Sequence, residues 1–203
     1  MKSTNDYIAH LSRDKRIKKI LDGKVFSLKK HKNICLRLCR SIMSQQLSTK
    51  VADVIHQRFL NLYEGKEPTP EMILETKPEV LRSIGLSNAK VGYVQNVARF
   101  AVEKGMDAKT LNKMSNEQII EYLTEIKGVG QWTVEMLLMF TLGREDVFAA
   151  DDLGIQNSMI KHYKLNRTDK KKFRDQLLKI SEQWSPYRTY ACLHLWRWKD
   201  SRK

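Results

Sequence analysis

Hydrophobic and polar positions alternate along most of this chain with the period of a helix. In "HKNICLRLCRSIMSQQLS", Ile34, Leu36, Leu38, Ile42 and Met43 recur among basic residues at near-helical spacing, and "TKVADVIHQRFLNLY" repeats the pattern with Val51, Val54, Ile55, Phe59, Leu60 and Tyr63. Both stretches predict amphipathic helices. Pro68 and Pro70 end this section, and Thr69-Pro70-Glu71 starts a short helix with proline in its first turn. A further short helix is predicted over 78–84, then a break at "GLS", then a long helix over about 88–103 that carries Val91, Val94, Val97, Ala98 and Ala101, with Ser87 as its cap. Shorter helices follow around 115–124, 134–142, 153–162, 169–181 and 187–198. The single strand candidate is "DVFAA", too short to build a sheet. The expectation is an all-α protein of about ten helices, with no internal repeat and no long linker.

One interruption stands out. In "TEIKGVGQWTVEMLLMF" a helix ends near Ile126, Gly128 and Gly130 make a turn, and a new helix begins at Gln131. Glycine permits positive φ and exposes backbone amides at the start of the second helix. Such an N-terminus attracts a phosphate oxygen, through its unpaired N–H groups and the helix dipole. Taken alone, the same pattern is that of an ordinary αα-hairpin with a glycine C-cap. Further on, "EDVFAADDLGIQNSM" puts Asp151 and Asp152 before the next helix, where one acidic residue can cap and the other can sit in the first turn.

Composition and charge narrow what such helices are for. Of 203 residues 41% are hydrophobic, enough for one sizeable core or two small lobes and too many for a disordered chain. No apolar run approaches the roughly 20 residues that span a bilayer, and the N-terminal residues carry no apolar segment of signal-peptide length, so an intracellular protein with no membrane partner is expected. Cys35, Cys39 and Cys192 fit a reducing compartment; Cys35 and Cys39 share a helical face and are read as buried thiols in preference to metal ligands. The net charge of +14 is uneven: residues 1–50 carry +10, 51–150 carry −3 and 151–203 carry +7. Basic helical surfaces of this kind suit a polyanion such as nucleic acid, since each phosphate contact releases counterions without reading sequence.

The order of these parts resembles the helix-hairpin-helix DNA glycosylase superfamily, and within it the alkylpurine (3-methyladenine type II) DNA glycosylases. The resemblance is carried by "SIMSQQLS" at 41–48, "GLSNAKVGYVQNVA" at 85–98, "IKGVGQWTVEM" at 126–136, "DVFAADDLGIQ" at 146–156 and "WSPYRTYACLHLW" at 184–196, in family order across nearly the whole chain. It implies two helical lobes around a cleft: a central lobe over approximately 30–142 with the hairpin, and a second formed by 1–29 plus 143–203. No extra N-terminal β lobe of the kind some relatives carry is expected.

Carried over residue by residue, the resemblance places the catalytic aspartate at Asp152, with Asp151 as its capping neighbour. The implied reaction is hydrolysis of the N-glycosidic bond of a damaged base, whose oxocarbenium-like transition state an ionised carboxylate stabilises. Trp132 and Trp196 would line the pocket for the flipped base, where an electron-rich indole attracts an alkylated, cationic purine. Met136 and Leu153 stand where some relatives carry tyrosine. Gln46 falls at the position that fills the gap left by the flipped base, with Gln45 beside it. Lys127, Gly128, Val129, Gly130 and Thr133 are the hairpin's expected DNA contacts. Superfamily members that also nick DNA carry a lysine where this chain has Trp132, so a monofunctional enzyme is implied.

No cofactor is expected to be required. "WRWKDSRK" lacks the cysteines of the iron–sulfur branch, while the family allows Na+ or K+ at the hairpin backbone near Ile126 and Gly128. The implied partner is double-stranded DNA containing alkylated bases, met by a monomer in the cytoplasm and nucleoid of a prokaryote or the nucleus of a eukaryote. Two alternatives stay open: a glycosylase of the same fold for another lesion, and a helix-hairpin-helix DNA-binding protein without catalysis.

Overall fold

The computed structural model of the chain describes residues 6–201. Among them all regular structure is helical: α1 (Asp6–Leu11), α2 (Lys15–Lys18), α3 (Ile34–Ser44), α4 (Thr49–Asn61), α5 (Pro70–Glu75), α6 (Pro78–Ser83), α7 (Asn88–Glu103), α8 (Ala108–Leu111), α9 (Asn116–Thr124), α10 (Gln131–Phe140), α11 (Leu153–Tyr163), α12 (Lys170–Glu182) and α13 (Arg188–Asp200). Local chemistry sets most boundaries. Ser48, Thr69, Ser87 and Ser115 each accept the N–H three residues on, and Ser115 completes a capping box with Gln118. The strand candidate forms no strand. Val147 N–H is taken by Thr189 Oγ1 at 3.1 Å, and Cys192 Sγ donates to Val147 O at 3.8 Å, so side chains occupy the groups a ladder would need.

The chain divides into two compact units: Lys30–Leu137, and the residues up to Lys29 together with those from Leu138 onward. In the first unit α3 is central. Seven of its eleven side chains are buried, and it packs on α7 and α4, while α7 also packs on α5 and α6. Fully burying a side chain such as Leu38 or Ile42 contributes about 1.5–3 kcal/mol, so α3 is held by tertiary burial more than by its own propensity. Cys35 and Cys39 are free thiols buried in this core; the neighbouring Cys35 and burial together push the Cys39 thiol well up, and Cys39 Sγ donates to Val94 O at 3.8 Å. They are packing groups. Among the described residues no group of His, Cys, Asp and Glu could hold a metal ion.

The second unit is built on α11, which packs on α13 and α2. Asp14 caps α2 by accepting Arg16 N–H at 2.8 Å and also takes the Tyr163 hydroxyl and, at 3.0 Å, the Trp184 indole N–H. Burial alone would raise the Asp14 carboxyl, but these donors outweigh it and hold the group below the usual carboxylate range. α1 and α2 have six and four residues, too few to be stable alone; contacts such as this one order them, which is why periodicity did not find them.

His194 is fully buried on α13, its ring 4.8 Å from Phe26 and 6.1 Å from Tyr7, and neither ring nitrogen has a hydrogen-bond partner. Burial lowers its pKa to about 4. The unfolded chain takes up a proton near pH 6.5 and the folded one does not until about pH 4, so this contribution to stability is complete above 6.5 and is lost as pH falls toward 4. Denaturant unfolding at pH 5 is expected to show about 2 kcal/mol less stability than at pH 7.5 from this group. In His194→Phe that slope should flatten; an unchanged slope would show that other groups carry it.

Candidate functional site

α11 begins at an aspartate held from two sides. Asp152 is its N-cap, with extended φ/ψ of −72° and 121°, and Asp152 Oδ1 accepts Ile155 N–H at 2.9 Å and the Trp196 indole N–H at 2.8 Å. This corrects the expected assignment of roles within the acidic pair. Asp151 does not cap the helix; it is exposed and ion-paired with Arg174. The capping carboxylate is therefore the same one that the resemblance marks as catalytic, and its orientation is set by a backbone amide and an indole.

Glycine at 154 makes this approach possible. A Cβ there would lie 3.0 Å from both Asp152 Oδ1 and Trp196 Cδ1 and 3.2 Å from Lys199 Nζ, tighter than ordinary contact. The missing side chain lets the indole reach the helix N-terminus and brings the Lys199 ammonium beside it. Leu153, the first residue of the helix, is 61% exposed, and the Trp196 ring lies 5.9 Å from that of Phe140, itself an exposed aromatic.

The loop that delivers Asp152 is tied to the start of α13. Arg188 donates from Nε to Asp146 Oδ1 at 2.7 Å and from Nη2 to Asp146 Oδ2 at 2.9 Å, a bidentate pair. Asp146 is held below the usual carboxylate range because these bonds and that from Ser185 outweigh its burial. Thr189 Oγ1 donates to Arg144 O at 2.7 Å, the Tyr190 hydroxyl to Glu145 Oε1 at 3.0 Å, and Gln156 Nε2 to Ala150 O at 2.8 Å. Two motifs forty residues apart in the sequence are thus one piece of structure, since "WSPYRTY" supplies the donors for the backbone and acids of "GREDVFAA".

In the other unit the hairpin joins α9 to α10. Gly128 has φ of +103°, and Val129 N–H returns to Ile126 O at 2.9 Å. Gly130 has no positive φ and nothing within 4 Å of the place a Cβ would take, so the two glycines are not equivalent, contrary to expectation. Lys127 is exposed and its carbonyl accepts Asn96 Nδ2 at 3.1 Å, whereas Val129 is buried. Trp132 is 40% exposed near the start of α10, with half-buried Met136 one turn on and Phe140 one turn further, a spacing of four that puts all three on one helix face.

The loop between α3 and α4 carries the two glutamines. Gln46 is exposed with φ of +59°, a left-handed conformation uncommon for a residue other than glycine. Gln45 and Thr133 touch each other: Gln45 Nε2 donates to Thr133 Oγ1 at 3.4 Å, and Thr133 is buried. Sequence reasoning missed Gly154, Lys90, Tyr93 and Arg188 as individual contributors. All four lie inside the quoted motifs, and a basic residue in the first turn of a helix, as at Lys90, is the one local sign that a distant acceptor exists.

The description "HhH-GPD superfamily base excision DNA repair protein" fits residues 39–183. DNA-3-methyladenine glycosylase 1 of Schizosaccharomyces pombe (strain 972 / ATCC 24843) is 40% identical over 162 residues, which cover 79% of this chain and 70% of the relative. A Bacillus halodurans DNA-3-methyladenine glycosidase structure superposes with a TM-score of 0.84 at 32% identity, over 97% of this chain and 90% of the other. The structure of the Schizosaccharomyces pombe 3-methyladenine DNA glycosylase in complex with abasic DNA does so with a TM-score of 0.78 at 34% identity, over 94% and 95%. A family match across most of the chain and relatives this similar lead to one conclusion: the chain belongs to the HhH-GPD superfamily of base excision DNA repair proteins.

Proposed function

We propose that the protein is a DNA glycosylase of base excision repair, which binds double-stranded DNA, accepts an alkylated purine such as 3-methyladenine or 7-methylguanine flipped from the duplex, and hydrolyses its N-glycosidic bond. The observation that supports this most directly is the carboxylate of Asp152, fixed by Ile155 N–H and the Trp196 indole at the N-terminus of α11. As the glycosidic bond lengthens, positive charge grows on the sugar near C1′, and a fixed negative charge lowers that barrier without reorganising. The same carboxylate orients the attacking water. An alkylated purine is already cationic, so it departs as a neutral base with little acid catalysis.

In this reading each unit offers apolar surface of the kind a flipped base needs, the exposed Trp132 with Met136 on α10 in one, and Leu153 and Trp196 near Asp152 in the other; cation–π attraction to an indole is worth about 0.5–2 kcal/mol. The indole N–H of Trp196 serves Asp152, leaving its ring for the base. Lys127 offers charge and Gly128 and Gly130 offer backbone to a phosphate, while the buried Val129, its N–H taken by Ile126 O, holds the turn; Gln46 fills the gap in the stack. Trp132 in place of an amine makes the product an abasic site on an unbroken strand. A monovalent cation, Na+ or K+, would be held at the hairpin backbone near Ile126 and Gly128: Ile126 O accepts Val129 N–H at 2.9 Å, and a carbonyl oxygen has a second lone pair for an ion. Such an ion would add positive charge for a phosphate. The protein works in this scheme as a monomer inside the cell, where its DNA lies; among the described residues no helix is long and apolar enough to cross a membrane.

The test is incubation with duplex DNA methylated on purines, followed by chromatography of the released bases. Release of 3-methyladenine or 7-methylguanine with strands left intact is the expected outcome. Release of a different damaged base alone would point to another lesion class, and binding without release to a non-catalytic role.

A further inference from the structure

The function proposed above gives no task to Lys90, yet its environment is costly to build. It lies in the first turn of α7, three residues after the cap Ser87, where the helix dipole disfavours a cation, and burial pulls its ammonium below the usual lysine value. What offsets this cost is at the other end of the side chain. Lys90 Nζ donates to Met43 O at 2.9 Å and to Gln45 O at 2.7 Å, at the C-terminus of α3, where carbonyls lack helical partners and a cation is favoured. The ammonium thus closes the end of α3 from a helix 45 residues further along the chain.

The residue beyond this grip is Gln46, exposed and left-handed, and the residue inside it is Gln45, whose amide reaches Thr133. Two outside elements therefore hold the base of the loop: α7 through Lys90 and the first turn of α10 through Thr133. A left-handed glutamine persists only where its surroundings over-determine it. Of the two attachments, the pair of short charge-assisted bonds from Lys90 is the stronger.

We infer that Lys90 is a positioning residue for base extrusion: by gripping the Met43 and Gln45 carbonyls it holds Gln46 in the left-handed conformation from which that side chain enters the gap left by a flipped base. This rests on the reading of the protein as a base-flipping glycosylase with Gln46 as its inserting residue. The grip sets how readily a stacked, paired lesion is extruded and leaves cleavage of an already unpaired lesion unaffected.

The experiment compares single-turnover excision of 7-methylguanine from two duplexes, one with the lesion paired to cytosine and one with it opposite an abasic analogue, where no partner holds it. Lys90→Met keeps the aliphatic stem and removes the donors. It should slow excision from the paired duplex about tenfold or more and from the unpaired one by less than about threefold, with a melting temperature close to that of the unaltered protein. Lys90→Arg, which can still donate to both carbonyls, should restore most of the paired rate. Equal slowing on both duplexes, or no slowing on either, would overturn the assignment. If Lys90→Met does not fold, Lys90→Gln, which is shorter and uncharged and cannot bridge both carbonyls, must show the same bias toward the paired duplex. Absence of release by the unaltered protein from either duplex would refute the glycosylase reading itself, and the role of Lys90 with it.

Discussion

Asp152→Asn should lose base release by about 10²–10³-fold or more while folding and DNA binding stay close to normal. The substitution isolates charge from structure. Asparagine caps helices about as well as aspartate, and its Oδ1 can still accept Ile155 N–H and the Trp196 indole N–H, so α11 keeps its start. What disappears is the negative charge that stabilises the oxocarbenium-like transition state. Release of methylated bases under single-turnover conditions measures the loss, and affinity for abasic-site duplex with a thermal melt checks that nothing else changed. Undiminished release would remove Asp152 from the mechanism. A loss matched by a collapsed melting temperature would mean that its capping role dominates. By contrast, Asp152→Ala removes the cap as well and should cost about 1 kcal/mol of stability on top of activity.

The second large effect is expected at the hairpin, where the two glycines should behave differently. Gly128→Ala requires an L side chain at φ of +103° and puts a Cβ 2.2 Å from Tyr93 Cγ, so the turn and the tyrosine ring cannot both keep their places. Strain plus overpacking should destabilise the protein by about 2–4 kcal/mol and weaken binding to duplex DNA of any sequence. Gly130→Ala meets open space with ordinary backbone, so its stability should stay within about 0.5–1 kcal/mol of the unaltered protein. Denaturant melts and salt-dependent binding to undamaged duplex read both. Equal behaviour of the two variants would mean that neither the left-handed backbone at Gly128 nor its contact with Tyr93 fixes the turn.

Much of this organisation is legible in the sequence because its signals are local. Ser87 before an apolar period of about 3.6, Thr69-Pro70 at a helix start, and Ser115 with Gln118 three residues on are instructions that neighbouring residues carry out, and the helices begin where those residues stand. α1, α2 and α8 were not legible. They have six, four and four residues, and what holds α2 is Asp14 reaching Tyr163 and Trp184 about 150 residues away or more. "DVFAA", expected to be too short for a sheet, builds none for a related reason: its β-like composition is real, but Thr189 and Cys192, from a later helix, satisfy its backbone.

The candidate site divides along the same line. Residue order alone supplies a helix-hairpin-helix with a tryptophan behind it, an acidic pair before a helix, and basic ends suited to a polyanion. It does not say which aspartate caps: Asp151 and Asp152 are chemically identical, and the choice falls to Arg174, which pairs with the first, and Trp196, which binds the second. Nor does it separate Gly128 from Gly130, because the difference lies in the left-handed backbone at Gly128 and in Tyr93, which packs on it from another helix. The sequence by itself determined the helical elements, the hairpin and the family to which the chain belongs, since short-range propensity and motif order are written in adjacent residues. Only the tertiary structure decided how Asp152 is oriented, how closely residue 154 is crowded and what Lys90 grips, because each depends on atoms that come within about 3 Å only after residues far apart in the chain have packed.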